Sequence, residues 1–544
     1  MSATAEAEPL DVVVVGAGFA GMYAIWKLRQ NGLKLRVIEA GKDVGGTWYW
    51  NRYPGARCDI TSMEYSFSFS DALQQEWEWT EIMAAQPEIL SYANHVADRF
   101  DLREHVDFDT RVTSATYLEA ENLWEVGTDK GNSYRARFCI MATGCLSVPN
   151  TPAIEGQETF AGEVYHTGNW PAAGVDFSGK TVGIIGTGSS GVQSIPVIAR
   201  EAEHLTVLQR TPNYNLPANN APLPTDYRNR IKDHYAEVRA AQRLAQIGVS
   251  EFSRGLGGLG SYPEPAEAIL ETTAEERTAA LDRFGFEAIR HYNDLALSEE
   301  ANELACEMYR EQVRRIVDDP KTAEGLMPRD YPYGCKRPVI DIGYYETFNR
   351  DNVTLVDLRQ GGIERITPSG VQTAQGAFDF DVLVYATGFD AMTGALLRMD
   401  IRGRGGESLA SYWEHGPKTY LGLQMTGFPN LFTVTGPGSP SVLSNMLVSI
   451  EQHVDWISDC INYLDQKDAS SIEPTPEAED AWVRHVFEVA DGTMLTSESC
   501  NSWYLGANIP GKPRIFMPYV AGVGVYRQQC EAIVADGYRG FAIR

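Results

Sequence analysis

The sequence predicts an α/β protein with two Rossmann-like dinucleotide-binding domains and a helical insertion in the second. Three observations carry this expectation. Two glycine-rich fingerprints, Gly16-Ala17-Gly18-Phe19-Ala20-Gly21 and Gly186-Thr187-Gly188-Ser189-Ser190-Gly191, stand far apart, each after an apolar strand and before a helical pattern. Some two dozen residues on, the next strand of each unit ends in a charged residue, Glu39 in the first and Arg210 in the second. Each unit also closes with an apolar strand followed by one tripeptide, Ala142-Thr143-Gly144 and Ala386-Thr387-Gly388.

The elements follow in order. Asp11 and the valine run at 12–15 form the first strand. The glycines behind it permit a tight turn, and the next helix offers unpaired N–H groups and its positive dipole to a pyrophosphate. The second strand, at 35–38, delivers Glu39. A Gly-, Trp- and Pro-rich stretch at 45–59 reads as loop. Residues 77–101 carry helical periodicity, and 138–142 is a short apolar strand. These elements make a first domain over 1–148, and a Pro-rich link at 148–152 leads on. Strands at 181–185 and 205–209 repeat the plan over 149–218. Region 219–335 is rich in Ala, Glu and Arg at helical spacing, too long for a loop and too poor in strands for another nucleotide fold. Strands at 353–356 and 382–385 resume the second domain over 336–388. Residues 389–544 return to the first domain, with a strand at 430–434.

The two charged residues differ in meaning. A carboxylate at that strand end accepts hydrogen bonds from ribose hydroxyls, whereas an arginine pairs with a 2′-phosphate. The chain therefore reads as holding two different nucleotides, one of them NADPH. Arg210 with Thr211 fits a phosphate clamp, and Lys336 supplies a second cation.

At 544 residues the chain exceeds what one hydrophobic core supports. The net charge of −27 opposes nucleic acid and anionic membranes as partners and reads mainly as solubility. The uncharged stretch at 12–26 is a strand, a phosphate turn and a helix rather than a membrane segment, given its acidic flank and glycines. Cysteines at 58, 139, 145, 306, 335, 460, 500 and 530 form no CxxC pair and no zinc spacing. No metal site is expected, and the thiols are expected to be reduced in a soluble, cytoplasmic protein.

Two longer motifs add chemistry. Phe160-Ala161-Gly162-Glu163-Val164-Tyr165-His166-Thr167-Gly168-Asn169-Trp170-Pro171 fits FxGxxxHxxxWP, and residues 45–59, from Gly45-Gly46-Thr47-Trp48 to Asp59, fit GGxWxxxxYPGxxxD. With two nucleotide units around them, these motifs resemble the Baeyer–Villiger monooxygenases, the ketone-oxidising branch of the flavin monooxygenases. Residues 436–446 and 502–512 look closest to the phenylacetone and steroid monooxygenase subgroup.

The resemblance implies FAD in the first domain and NADPH in the second. NADPH would reduce the flavin, oxygen would add at C4a, and the peroxyflavin would attack a ketone to give an ester or lactone and water. Gly16, Gly18, Phe19, Gly21, Glu39, Gly46, Thr47, Trp48, Asp59, Tyr65 and Val112 are implied on the FAD side. Thr187, Gly188, Ser189, Ser190, Gly191, Gln193, Arg210, Thr211, Lys336 and Trp503 are implied on the NADPH side. Arg337 matches the family arginine that stabilises the negative charge, and Asp59 the acid that pairs with it. Leu146, Leu443 and Met446 match pocket positions, with Met446 also beside the cofactor, and Cys145 places a small thiol next to them. His166 is expected to serve as a hinge on the linker between domains, with Phe160, Gly162 and Trp170 completing its motif.

Three rivals were weighed. A disulfide reductase needs a redox cysteine pair beside the flavin, and between Gly46 and Leu73 stands only Cys58. A monooxygenase oxidising sulfur or nitrogen is disfavoured by Trp170-Pro171 and the Asp59/Arg337 combination. A non-catalytic, NADPH-sensing flavoprotein is the reading of another class.

Overall fold

The computed structural model describes residues 8–253 and 267–544, so residues 254–266 of the expected insertion lie outside it. β1 (Leu10–Val15) pairs in parallel with β2 (Leu35–Ile38) and β6 (Ser133–Met141) inside an eight-stranded sheet. Its valines are fully or nearly buried, as expected of a parallel strand covered on both faces. α1 (Phe19–Gln30) packs back with Phe19, Met22, Ile25 and Leu28 inward.

β3 (Val106–Asp107) extends the sheet beyond β2. β4 (Val112–Leu118), β5 (Leu123–Thr128) and β6 form an antiparallel meander that periodicity did not foretell. A register shift between Val112 and Ser114 puts Val112, Ala115 and Tyr117 inward, and the strict alternation of a half-buried strand is lost. The late strands Asp400–Arg402 and Leu431–Thr433 complete this sheet against β4 and β6.

The second sheet is wholly parallel, in the order Val353–Asp357, β9 (His204–Gln209), β8 (Thr181–Ile185), Val382–Tyr385, β7 (Glu163–His166). His166 therefore does not stand on a linker. It ends an edge strand, opposite Tyr385. Region 77–101 also departs from expectation: helices span Asp71–Glu76 and Gln86–Arg99, with a non-helical stretch between. Pro87 sits at the start of the second helix, and Trp77 and Trp79 turn in to pack on Tyr92.

The insertion is helical, with Thr225–Asp233, Tyr235–Leu244, Ala274–Phe284, Glu299–Ile316 and Pro320–Leu326 among its described helices. Its ends are clipped together by the parallel pair Asn215–Pro217 and Val339–Asp341. Its first half docks on the first sheet's loops. The buried Arg239 guanidinium donates to Gln74 Oε1 and Ser66 Oγ at 2.8 and 2.7 Å and to the carbonyls of Met63, Glu64 and Phe67. The fully buried Glu64 carboxylate accepts from Ser250 N and Oγ, both at 2.7 Å, and from Ser253 Oγ. Its second half docks on the second sheet, where Gln209 donates to Gly325 O and Asn349 to Ile316 O.

The cysteine expectation needs correction. Cys335 and Cys500 are joined in a disulfide across 165 residues of chain, because the loops before Lys336 and before Trp503 meet with Cα atoms 6.1 Å apart. The other six are free and buried. No described helix is long and apolar enough to cross a membrane.

Candidate active site

Both fingerprints fold into the same cradle. Gly16 has φ +103° and Gly186 φ +108°, and an added Cβ would lie 2.6 Å from Ala142 O and 2.5 Å from Ala386 O. Each turn is thus pressed against the Ala-Thr-Gly turn closing its own unit, where only glycine fits. At Gly188, by contrast, a Cβ would meet nothing within 4 Å, which leaves open space over the second turn for a pyrophosphate. These cradles fit two dinucleotides.

The first cradle is braced by Glu39. Its carboxylate accepts from Ala17 N at 2.7 Å and Gly41 N at 2.6 Å, and burial pushes its pKa up against those bonds. Two backbone donors leave lone pairs for a ribose. Gly18 faces Gly46, whose Cβ would come 2.7 Å from its Cα, and exposed Thr47 opens the helix Thr47–Trp50. Trp48 Nε1 donates to Tyr65 Oη at 3.1 Å, and the Phe19 ring meets Tyr65 edge-on at 6.1 Å. Val112 is buried at the head of β4, and Gly21 lies where α1 crosses Gly16.

The second cradle ends in cations. Arg210 is exposed just past β9, and Lys336 Nζ sits 4.3 Å from the centre of the Tyr331 ring. Burial, with Arg210 nearby, lowers the Lys336 pKa to about 8. Thr187 Oγ1 donates to Thr211 O at 3.2 Å, and Ser190 Oγ meets Thr167 Oγ1 at 2.9 Å. Gln193 reaches the first domain, accepting from Tyr53 and donating to Arg57 O. Ser189 and Gly191 open the helix Ser189–Glu201.

Between the cradles stands one ion pair. Arg337 Nε and Nη2 donate to Asp59 Oδ2 and Oδ1 at 2.6 and 2.9 Å, and Nη1 donates to Val442 O at 2.8 Å. Burial works against its charge, yet the attraction and hydrogen bonds of Asp59 more than offset it and hold the guanidinium pKa up. Three of five N–H groups are engaged in these bonds, so two remain for an incoming anion. Tyr504, unmarked in the sequence, is buried close enough to Arg337 for its charge to be felt, although burial dominates and raises its phenol to about 12.

Next to Val442 lies an apolar cluster of Cys145, Ala391, Met392 and Met517, with Leu146, Val442, Met446 and Trp503 packed against it. Leu443 packs instead against the main core. Cys145 Sγ lies 3.4 Å from Ser441 Oγ. Asn445 fixes this loop by donating from N to Ile247 O and from Nδ2 to Glu64 O, both at 2.8 Å.

The FxGxxxHxxxWP motif lies at the joint. His166 Nδ1 accepts from Gly168 N at 2.9 Å, so the neutral ring carries its proton on Nε2, facing Asn150 O and Thr387 Oγ1. Burial keeps its pKa below the usual histidine value. Trp170 N reaches Trp50 O at 3.4 Å, touching the 45–59 motif. Phe160 packs on the second sheet's core, and Gly162 runs against Asp381 O. Two open cavities of about 420 and 440 Å³ lie elsewhere, one lined by Arg52, Gln86 and Pro171, the other by Arg57, Arg200 and Asp341, and neither includes Arg337.

Two nucleotide cradles facing one guanidinium–carboxylate pair define a flavin- and nicotinamide-dependent oxidoreductase. Comparisons narrow the class. The pyridine nucleotide-disulphide oxidoreductase family model matches residues 13–253. The chain is 40% identical over 554 residues to the 2-oxo-Δ3-4,5,5-trimethylcyclopentenylacetyl-CoA monooxygenase of Pseudomonas putida, covering 100% of both. It is 41% identical to the cyclohexanone 1,2-monooxygenase of an Acinetobacter species, over 98% of this chain and 96% of that one. A solved structure of oxidized steroid monooxygenase bound to NADP superposes with a TM-score of 0.90 at 50% identity, over 98% of this chain and 99% of that one. The chain belongs to the Baeyer–Villiger monooxygenases.

Proposed function

We propose that the chain is an NADPH- and oxygen-dependent monooxygenase converting ketones to esters or lactones, with Arg337 as its catalytic cation and Asp59 as the residue that orients it. In this reading residues 1–148 and 389–544 hold FAD, 149–218 and 336–388 hold NADPH, and 219–335 buttress both. When bound, NADPH would supply a hydride to FAD, and the reduced flavin would activate O2, one atom of which enters beside the carbonyl while the other leaves as water.

The chain's own part is charge, shape and exclusion of water. Attack on a ketone turns its carbonyl oxygen into an anion, and donors fixed beforehand at that position stabilise it without reorganising. Arg337, held by both Asp59 oxygens with two N–H groups to spare, is the observation that carries the reading. Asp59 sets the plane of the guanidinium and offsets the cost of its partial burial. The apolar cluster holds the ketone's hydrocarbon arms and keeps water out. Three of its side chains are the adaptable methionines 392, 446 and 517, which suits ketones of varied shape. The likeness to a steroid monooxygenase supports including polycyclic ketones among the candidates.

The test is Arg337→Ala, assayed for ester by product analysis and separately for anaerobic flavin bleaching by NADPH. Ester formation is expected to fall at least about 100-fold while bleaching continues. Ester at a near-normal rate would overturn the assignment.

A further inference from the structure

We propose that the disulfide between Cys335 and Cys500 is a covalent latch fastening the Trp503 segment to the loop that carries Lys336 and Arg337. The proposal rests on the reading that Trp503 of this segment lies on the NADPH side. Cys335 lies immediately before the cation assigned to the 2′-phosphate and two residues before Arg337, and Cys500 lies three residues before Trp503. One bond thus ties the loop of Lys336 and Arg337 to the Trp503 segment.

Within this strap Tyr504 and Leu505 are buried in the main core, and polar contacts hold both of its ends. At its base, Arg514 Nη2 donates to the carbonyls of Ser497, Glu498 and Cys500 at 3.0, 3.1 and 2.9 Å. At its far end, Asn508 Nδ2 donates to Phe389 O at 2.8 Å, and Lys512 Nζ reaches Asp390 Oδ1 at 2.7 Å and Ala391 O at 2.9 Å. Those partners directly follow the Ala386-Thr387-Gly388 turn of the second domain. The strap therefore runs from the Arg337 loop to the second fingerprint's closing turn, and the disulfide is its covalent anchor to the Arg337 loop.

The chemistry balances in both directions. With hydrogen peroxide as oxidant, one thiolate takes an oxygen as the O–O bond breaks, and the second sulfur displaces that oxygen, so two thiols and one peroxide give one disulfide and two waters. With a dithiol reductant, the S–S bond breaks, both cysteines gain a proton and an electron, and the reductant closes to its own disulfide. Both sulfurs are fully buried, so reduction requires the strap to lift first, and bound nucleotide is expected to slow it.

The experiment uses the FAD-loaded enzyme. Non-reducing peptide mapping after mild peroxide treatment is expected to recover a 335–500 cross-linked peptide. Dithiothreitol treatment, verified by thiol count, is expected to weaken NADP+ binding at least about fivefold and to open proteolytic cuts within 497–514, with FAD content unchanged. Cys335→Ser/Cys500→Ser is expected to match the reduced enzyme and ignore dithiothreitol, whereas Cys139→Ser still responds. Eight free thiols after peroxide, or unchanged NADP+ affinity and proteolysis on verified reduction, would overturn the latch. Proteolysis reports on the strap wherever the nucleotide binds, so exposed cut sites with unchanged NADP+ affinity would keep the tether but overturn the NADPH-side reading.

Discussion

A guanidinium with two committed arms and two spare N–H groups does what a lysine there could not. Arg337→Lys keeps the charge but loses the two-pronged grip on Asp59, so the cation is no longer aimed. Product formation is expected to fall nearly as far as in the alanine variant, and a lysine enzyme at half the normal rate would show that charge alone suffices. Lys336 makes a separate prediction about pH. With its pKa lowered to about 8, it is cationic below that value and neutral above it. Its attraction for a 2′-phosphate is therefore present at pH 7 and lost as pH rises through 8. The dissociation constant for NADPH is expected to climb above pH 8 by up to about tenfold per unit, less steeply for NADH, and to flatten in Lys336→Met. Arg210→Ala is expected to cost NADPH about 1.5–3 kcal/mol of binding, with NADH little affected, as titrations of both nucleotides would show. Arg210 stood out as a candidate because it directly follows a nucleotide strand, and folding brings Lys336, from the loop before Val339–Asp341, close to it. Tyr504 and Glu64 did not stand out, since nothing local marks a phenol or carboxylate that distant chain will bury.

At the scale of elements, the two glycine turns offer a test of the proposed cofactor assignment. A methyl group on Gly16 would collide with Ala142 O at a backbone angle that side chains avoid, and Gly186 meets Ala386 O in the same way. Gly16→Ala is expected to yield protein with little FAD. Gly186→Ala is expected to stay yellow, yet to be reduced by NADPH far more slowly, and absorbance spectra with anaerobic reduction rates decide between them. Both turns were readable because strand, glycines and helix are contiguous. The meander of β4 and β5 was not, because the shift at Val112 and Ser114 spoils its period of two. The helix expected at 77–101 failed for a tertiary reason: Trp77 and Trp79 leave the helical path to pack on Tyr92. His166 was misplaced because four residues are too short a strand to stand out between turns.

For the whole molecule, order in the chain and order in space diverge. Contacts that link the parts, such as Arg239 to residues 63–67 or Cys335 to Cys500, join segments far apart in sequence, and no local pattern announces them. The Arg239 cluster is the main polar tie between insertion and first domain, and Arg239→Ala would leave the buried Glu64 without its nearby cation. A loss of about 3 kcal/mol in stability is expected, measured by denaturant unfolding of the FAD-loaded enzyme.

The two-sided docking of the insertion has a mechanical corollary. Its first half is bolted to the first domain through Arg239 and Glu64, its second to the second domain through Gly325 and Ile316. A swing of one lobe against the other would then load the insertion as well as the direct contacts of Gln193 and Arg337, so that it works as a tendon spanning a joint. Asn445 hangs from the same first-domain anchorage and carries the 441–446 loop with it. Tension raised when the second domain turns would thus reach that loop along the polypeptide, under the proposed function a route from nucleotide to ketone that needs no direct contact between them.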